Sequence, residues 1–515
     1  MKYYSTRDNS LQKTSMEVIK QGLSAEGGLF VPESIPAVSM EELSGLLKAD
    51  YRERAKKILS MYLTDYSSRQ LTDCVEGAYS ADNFSSPETA PVTELEKGLH
   101  VLELWHGPTC AFKDMALQIL PYLMTTAVRA TGDNKEILIL TATSGDTGKA
   151  AMEGFSDIPG TRILVFYPQQ GVSPMQKLQM VTQEGSNVMA AAVKGNFDDA
   201  QTGVKQVFRD EELRDYLDKR GLSFSSANSI NWGRLVPQIV YYFSSYLDLV
   251  RYNRISLGEP VNIVVPTGNF GNILAAWYAR EMGLPVNRLI CASNDNKVLA
   301  DFIRTGVYDK RREFYQTISP SMDILVSSNL ERLLYELAQR DDAQVKDWMK
   351  QLSYRGFYQI KGEALKRLQS DFWGGSASVE ETMASIQDTY QKTGYVMDPH
   401  TAVGKWVYDS YRRETGDTDA TILVSTASPF KFPADVLKAI QPGSSGSIDP
   451  SHVHTKYTEA VYEIKLLEQL AKVSGWNIPK PLQGLQDKEI RHRAVCSREQ
   501  IREQVIAMID SQEMR

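Results

Sequence analysis

Apolar positions near the start of the chain recur at helical spacing. From about residue 96 onward they gather into short unbroken runs separated by helical stretches. Within 1–95 the pattern predicts helices at Ser15–Gln21 and Met40–Met61, the second rich in Leu, Lys, Arg and Glu. Between them, Gly22–Pro32 reads as a turn followed by a short apolar strand. The polar stretch Ser80–Glu94, with Pro87 and Pro91, reads as a boundary after a mainly helical leader.

Beyond that boundary, Ile137–Thr141, Arg162–Tyr167, Val188–Val193, Val261–Val265, Leu289–Ala292 and Thr421–Ser425 predict buried strands. Helical segments such as Gly148–Phe155, Ala200–Tyr216, Arg234–Tyr252 and Ile273–Met282 separate most of them. Strands that alternate with helices form parallel sheets covered by those helices, so the expected fold class is α/β. Ligands on such sheets bind at the carboxyl ends of the strands, which directs attention to the turns. Glu331–Tyr390 is charged and helical without a clear strand, and is expected to be a helical insertion between the last two strands. Thr455–Lys472 and Ser497–Met508 are expected to be helices wrapping the large domain. No internal repeat or low-complexity segment is present.

At 515 residues the chain calls for two or three domains. Hydrophobic content of 42% and charged content of 23% are those of a globular protein in water. A net charge of −7 argues against a large nucleic-acid footprint while leaving room for a local cationic pocket. The start, Met1–Asp8, has no apolar signal region, and the apolar runs are strand-sized, too short to span a bilayer. The four cysteines (Cys74, Cys110, Cys291, Cys496) are far apart and form no Cys-x-x-Cys pair, which suggests free thiols in a reducing cytoplasm.

Candidate chemistry starts at Lys113. It follows Phe112 and opens the apolar segment Met115–Leu120. A lysine drawn into an apolar pocket loses proton affinity, and its free amine can then form a Schiff base with an aldehyde. Thr267–Asn272, after the strand Val261–Pro266, carries Gly268 and Gly271 at a helix start, where backbone N–H groups attract phosphate. The alternative is a tight turn that uses glycine for geometry alone. Thr143–Gly148 likewise opens a helix and could bind a carboxylate, with Asp146 serving there only as an N-cap or facing elsewhere. Ser425–Phe430 offers a hydroxyl for a pyridine nitrogen. Asn228–Arg234 brings two amides, a hydroxyl and a guanidinium suited to phosphate, unless Arg234 is an ordinary surface residue. His452 and His454 lack a third ligand, so no metal is expected. His106 is placed near Lys113, while capping and packing account for His400; Lys310–Arg312 reads as a solvated face.

Taken in order, Tyr4–Arg7, Gly22–Pro32, His106–Asp114, Thr143–Gly148, Asn228–Arg234, Pro266–Asn272, Asp398–Ala402 and Ser425–Phe432 resemble the threonine synthase family in its longer-chain form. That family belongs to the fold-type-II pyridoxal-phosphate enzymes, relatives of the tryptophan synthase β subunit. The resemblance implies two open, mostly parallel sheets and a mainly helical N-terminal domain over 1–95. The catalytic region would span 96–515, with a smaller mobile domain over about 135–230 and the insertion over about 331–390. It implies that Lys113 is the Schiff-base and catalytic lysine. Gly268, Asn269, Phe270, Gly271 and Asn272 would cradle the pyridoxal 5'-phosphate, and Thr426 would lie beside its ring nitrogen. Ser144, Asp146, Thr147, Asn228, Ser229, Asn231 and Arg234 would contact substrate. Cys110 stands where Leu is frequent in the family, Ser428 where His is frequent, and Asp146 where many fold-type-II relatives have Asn.

The implied reaction converts O-phospho-L-homoserine and water to L-threonine and phosphate, in a cytoplasmic monomer or homodimer without nucleic-acid or membrane partners. Arg234, with Lys177 as a second candidate, would hold the substrate phosphate. A phospholyase releasing 2-oxobutyrate and a cofactor-binding relative without activity are the alternatives; Phe112-Lys113-Asp114 argues against the latter.

Overall fold

The strand-and-helix alternation builds two parallel sheets whose carboxyl ends meet around Lys113. The computed structural model describes residues 1–132, 135–143, 145–169, 172–441 and 456–511. The N-terminal segment opens with strands β1 (Tyr3–Ser5), β2 (Asp8–Lys13) and β3 (Phe30–Pro32), joined in an antiparallel sheet of order β2-β1-β3. The predicted helix Ser15–Gln21 lies between β2 and β3. The predicted helix over 40–61 is two helices, Met40–Gly45 and Tyr51–Tyr62. Asp50 restarts the chain by accepting from Glu53 N, while Arg54 donates to the Leu46 and Leu47 carbonyls left over at the break.

Next come β4 (Val92–Glu96), β5 (Leu99–Glu103), β6 (Glu136–Ala142), β7 (Thr161–Pro168), β8 (Val188–Val193) and β9 (Leu222–Ser225). They are followed by β10 (Val261–Pro266), β11 (Val286–Ser293), β12 (Val307–Asp309), β13 (Phe357–Gln359), β14 (Phe372–Ser376), β15 (Thr421–Ser425) and β16 (Ala494–Cys496). The larger sheet has the order β14-β11-β10-β15-β5-β4 and is parallel except at β4–β5. The smaller, β16-β8-β7-β6-β9, is parallel throughout. Every residue of β10 and β15 is buried, as strands covered on both faces must be.

Two expectations are corrected. The stretch 331–390 is not purely helical: it supplies β14, the edge strand of the larger sheet. Its sequence, Phe-Trp-Gly-Gly-Ser, hides the strand because glycine is depleted in sheets. Glycine is needed there: a Cβ on Gly374 would lie 2.9 Å from the Ala300 carbonyl of helix Val298–Thr305. The C-terminal helix does not wrap the larger sheet either. β16 pairs with β8, and Ile501, Val505 and Met508 of helix Ile501–Asp510 join Val204 and Val207 in a separate core on the smaller sheet. His452 and His454 lie outside the described residues. Among the described residues, no helix is long and apolar enough to cross a membrane, and no group of three His, Cys, Asp or Glu could hold a metal.

The two halves approach closely where helix Asp146–Phe155 crosses the short helix Asp114–Leu117. A Cβ on Gly154 would sit 2.1 Å from the Leu117 carbonyl oxygen. Alanine normally gains about 1 kcal/mol over glycine inside a helix. Here the clash is with backbone, which cannot swing aside, and overpacking costs about 1–3 kcal/mol. Gly154→Ala is therefore expected to lower stability in urea unfolding, and a gain in stability would refute this close approach.

Candidate active site

Between β5 and helix Asp114–Leu117 the chain is folded by Asp114. Its Oδ2 accepts from Thr109 N at 2.8 Å and its Oδ1 from Thr109 Oγ1 at 2.7 Å. Burial pushes the Asp114 carboxyl up to about 6. Cys110 takes the left-handed backbone region, φ 59°, and burial pushes its thiol up to about 12. Phe112 N then donates to the Thr426 carbonyl at 2.8 Å, and Ala111 bridges Ala427. The lysine loop is thereby stitched to the turn after β15, where Thr426 is buried.

Lys113 Nζ reaches Asp146 Oδ2 at 3.4 Å and Ser321 Oγ at 3.3 Å. Burial depresses the Lys113 pKa; Asp146 opposes that effect, while the charges of Lys431 and Arg234 add to it. Burial alone would disfavour an ionised Asp146, but Lys431 and Lys113 outweigh it and hold the carboxyl well below the usual range. Lys431 Nζ lies 2.7 Å from Asp146 Oδ1, to which Gln176 Nε2 also donates at 2.9 Å. Asp146 is not the N-cap of its helix. Gly145 occupies that place at φ 135°, and Thr143 Oγ1 accepts from Gly145 N and Gly148 N at 2.9 and 2.8 Å. With the helix end satisfied by Thr143, the Asp146 carboxylate faces the lysines.

After β10, Thr267–Asn272 turns into helix Gly271–Glu281, with Phe270 left-handed at φ 63°. A Cβ on Gly268 would lie 2.4 Å from the Ser321 carbonyl, so the glycine loop and the Ser321 turn are pressed together beside Lys113. From behind, Ser327 Oγ donates to Gly268 O at 2.8 Å, and Asn329 donates to Asn269 O through Nδ2 at 3.0 Å and N at 3.1 Å. Asn272 Oδ1 accepts from Tyr241 and Tyr242, leaving its Nδ2 buried without a protein partner. The Arg234 Nε is likewise buried and unpartnered, and burial lowers this guanidinium to about 10. Buried donors rarely go unpaired. The Gly271 helix start with Asn272 Nδ2 beside it suits an anion such as phosphate, and the Arg234 Nε is a separate donor for a second one.

The structure thus brings together Lys113, Asp146, Arg234, Thr426 and the Gly268–Asn272 loop. Asn231 has a different role: its Oδ1 caps Gly233 N at 2.9 Å and its Nδ2 donates to Ile19 O and Ser226 O at 2.9 and 3.0 Å. Its amide is committed to the helix start and is not free for substrate. Thr147, Asn228 and Ser229 are half-buried and are not among the partners of Lys113 Nζ; Ser144 lies outside the described residues. Lys177 is exposed, while its neighbour Gln176 points into the site. His106 pairs with Glu103 at 2.8 Å and stacks on Trp105 instead of meeting Lys113.

Sequence reasoning missed Ser321, Gln176 and Lys431, and undervalued His400. His400 Nδ1 pairs with Asp398 Oδ1 at 2.8 Å and its Nε2 accepts from Ser321 N at 3.2 Å, so the ring holds the Ser321 turn against the lysine. Lys431 carried a readable signal. Phe430-Lys431-Phe432-Pro433 places a lysine among apolar residues just as Phe112-Lys113 does.

Comparison with known proteins agrees with this geometry. Residues 2–79 match the family model for the threonine synthase N terminus, and residues 89–366, more than half of the chain, match that for pyridoxal-phosphate dependent enzymes. Threonine synthase-like 1 of Macaca fascicularis is 43% identical over 435 residues, 82% of this chain, which spans 58% of that protein's length. Threonine synthase of Schizosaccharomyces pombe is 37% identical over 84% of this chain and 87% of its own. The structure of pyridoxal-phosphate-bound threonine synthase from Brucella melitensis superposes with a TM-score of 0.84, at 34% identity over 99% of this chain and 100% of its own. A lysine amine at the meeting of strand-end turns, a glycine cradle beside it and these similarities lead to one conclusion: the chain belongs to the threonine synthase family of pyridoxal-phosphate-dependent enzymes.

Proposed function

We propose that the chain binds pyridoxal 5'-phosphate at Lys113 and converts O-phospho-L-homoserine and water to L-threonine and phosphate. The observation that carries this reading is the Lys113 amine, its side chain only 11% exposed, hydrogen-bonded to Asp146 and Ser321 where the turns after β6, β10 and β15 converge. The Gly268–Asn272 backbone would hold the cofactor phosphate, with Asn272 Nδ2 as a spare donor, and Thr426 would stand beside the ring nitrogen. When bound, the cofactor supplies an electron sink for charge developing at the substrate Cα.

The chain's own residues do the rest. Lys113, its proton affinity lowered by burial, takes the Cα proton and returns protons later. Arg234 offers an unpaired Nε–H to the substrate phosphate. The start of helix Asp146–Phe155, with Ser144 and Thr147, binds the substrate carboxylate, and the charge of Asp146 does not repel it because Lys431 pairs with that residue. Movement of the smaller sheet, about 135–230 together with β16 and helix Ile501–Asp510, against the larger would exclude water until the addition step.

A second reading rests on the two departures at the lysine loop, Cys110 and Ser428. In it, the same active site releases 2-oxobutyrate. The departures at Cys110 and Ser428 are in contact, Ser428 N donating to Cys110 O at 3.0 Å beside the lysine loop, where the fate of the returned proton would be set.

Incubation with O-phosphohomoserine followed by product analysis separates the readings. Threonine and phosphate in equal amounts are expected; 2-oxobutyrate as main product would overturn the synthase assignment. Lys113→Ala should lose about 10²–10⁴-fold in turnover along with the borohydride-sensitive chromophore. In Gly268→Ala the new methyl would push the Ser321 carbonyl away from 2.4 Å. Cofactor affinity, titrated by absorbance, should fall by about tenfold, roughly 1.4 kcal/mol, or more. Unchanged affinity would remove the cradle role from this loop.

A further inference from the structure

We propose that Lys431 is a positioning residue that captures the Asp146 carboxylate and so keeps the Lys113 amine from being locked into an ion pair with it. The inference rests on Lys113 being the reactive amine of the proposed function and names a group that tunes it. Two lysines share one buried carboxylate unequally. Lys431 Nζ takes Asp146 Oδ1 at 2.7 Å, whereas Lys113 Nζ stands off Oδ2 at 3.4 Å. Lys431 is fixed in place: its side chain is 0% exposed and it also donates to the Thr109 carbonyl at 3.0 Å. Thr109 is the residue through which Asp114 folds the lysine loop, so the loop and the carboxylate are set by one ammonium group. Gln176 completes Oδ1, and Ser321 Oγ shares Oδ2 with Lys113, donating to it at 3.3 Å.

An ammonium that is buried needs a counter-charge, and the one carboxylate in contact with both lysines is mostly spent on Lys431. Lys113 is left with a hydroxyl and a distant oxygen, which suits a free base and leaves its lone pair available. The other charged or titratable groups near it do not change that balance. Arg234, from helix Trp232–Arg251, adds like charge. Asp114 is held by Thr109, and the Cys110 thiol is pushed up to about 12 by burial. Lys149 is engaged by Glu153 at 2.7 Å, and His400 reaches the site only through Ser321.

The test reads Lys113 directly. In the full-length protein stripped of cofactor, competitive acetylation of Lys113 across pH, quantified by mass spectrometry, gives its titration without any turnover. Lys431→Met and Lys431→Gln remove the competing charge and leave Asp146 to Lys113. The labelling curve should move to higher pH by about one unit or more, roughly tenfold less reaction at a pH below the midpoint. The acid limb of kcat in the reconstituted enzyme should move with it. Lys431→Arg, which keeps the charge, should stay near the native curve. Lys431→Gln retains a hydrogen-bonding side chain, so it serves if the methionine variant does not fold. An unmoved curve in a folded neutral variant, or an equal shift in Lys431→Arg, would overturn the proposal. Failure of the native protein to act on O-phosphohomoserine would instead strike the functional reading, and the labelling result would stand apart from it.

Discussion

The site depends on one ionised carboxylate held away from water. Asp146 is 3% exposed, and an unpaired charge in such a place would cost several kcal/mol. It is tolerated because Lys431, Gln176, Lys113 and Ser321 surround its two oxygens. These partners come from both halves of the molecule. Asp146 and Gln176 stand on helices of the smaller sheet, whereas Lys113 and Lys431 follow β5 and β15 of the larger. The interaction that makes a buried carboxylate possible therefore also links the two sheet systems.

A second requirement is that the Ser321 turn stay against Lys113 although it belongs to neither sheet. A buried chain of polar groups does this. Asp398 accepts from His400 N, His400 Nδ1 and the Thr401 hydroxyl, and His400 passes the constraint to Ser321 N. Thr401 Oγ1 is 3.0 Å from Ser425 Oγ, which accepts from Trp105 Nε1 at 3.1 Å. The end of β15, the start of the lysine loop and the Ser321 turn are thus parts of one hydrogen-bonded network. Such a network is rigid when every member is paired, which is the condition the catalytic role proposed for Lys113 needs.

Much of this was legible in the chain because it is local. Buried parallel strands announce themselves as apolar runs, and β6, β7, β8, β10, β11 and β15 fall where those runs predict. β4 was not visible, since an edge strand with exposed Thr93 and Glu94 has no apolar run. β14 was masked by its glycines. The lysine and the glycine cradle were found from their neighbours in sequence. Ser321 could not be: it sits 208 residues from Lys113, in a turn whose local sequence says nothing of lysine. Lys431 shares with Lys113 the one local signal available, a lysine beside phenylalanine, but the hydroxyl of Thr426 in the same turn is the more obvious polar group.

The N-terminal segment then finds a physical role in the site. Arg7 makes a double contact with Glu331, Nε to Oε1 at 2.8 Å and Nη2 to Oε2 at 2.7 Å, and Thr6 Oγ1 donates to Oε1 at 2.6 Å. The next residue, Arg332, is buried and donates to Phe30 O on β3, to Ile230 O before helix Trp232–Arg251, and to Asn329. Asn329 is the residue that grips the Asn269 carbonyl in the glycine loop. A guanidinium carries five donors in a fixed plane, so a single side chain can hold two separate backbones and the Asn329 amide at set angles. Without the antiparallel sheet, Arg332 would lose an acceptor and Glu331 its cation. The glycine-loop backbone would then be held less firmly from behind. The leader is accordingly part of the scaffold behind the glycine loop, which it reaches through two adjacent charged residues on one helix.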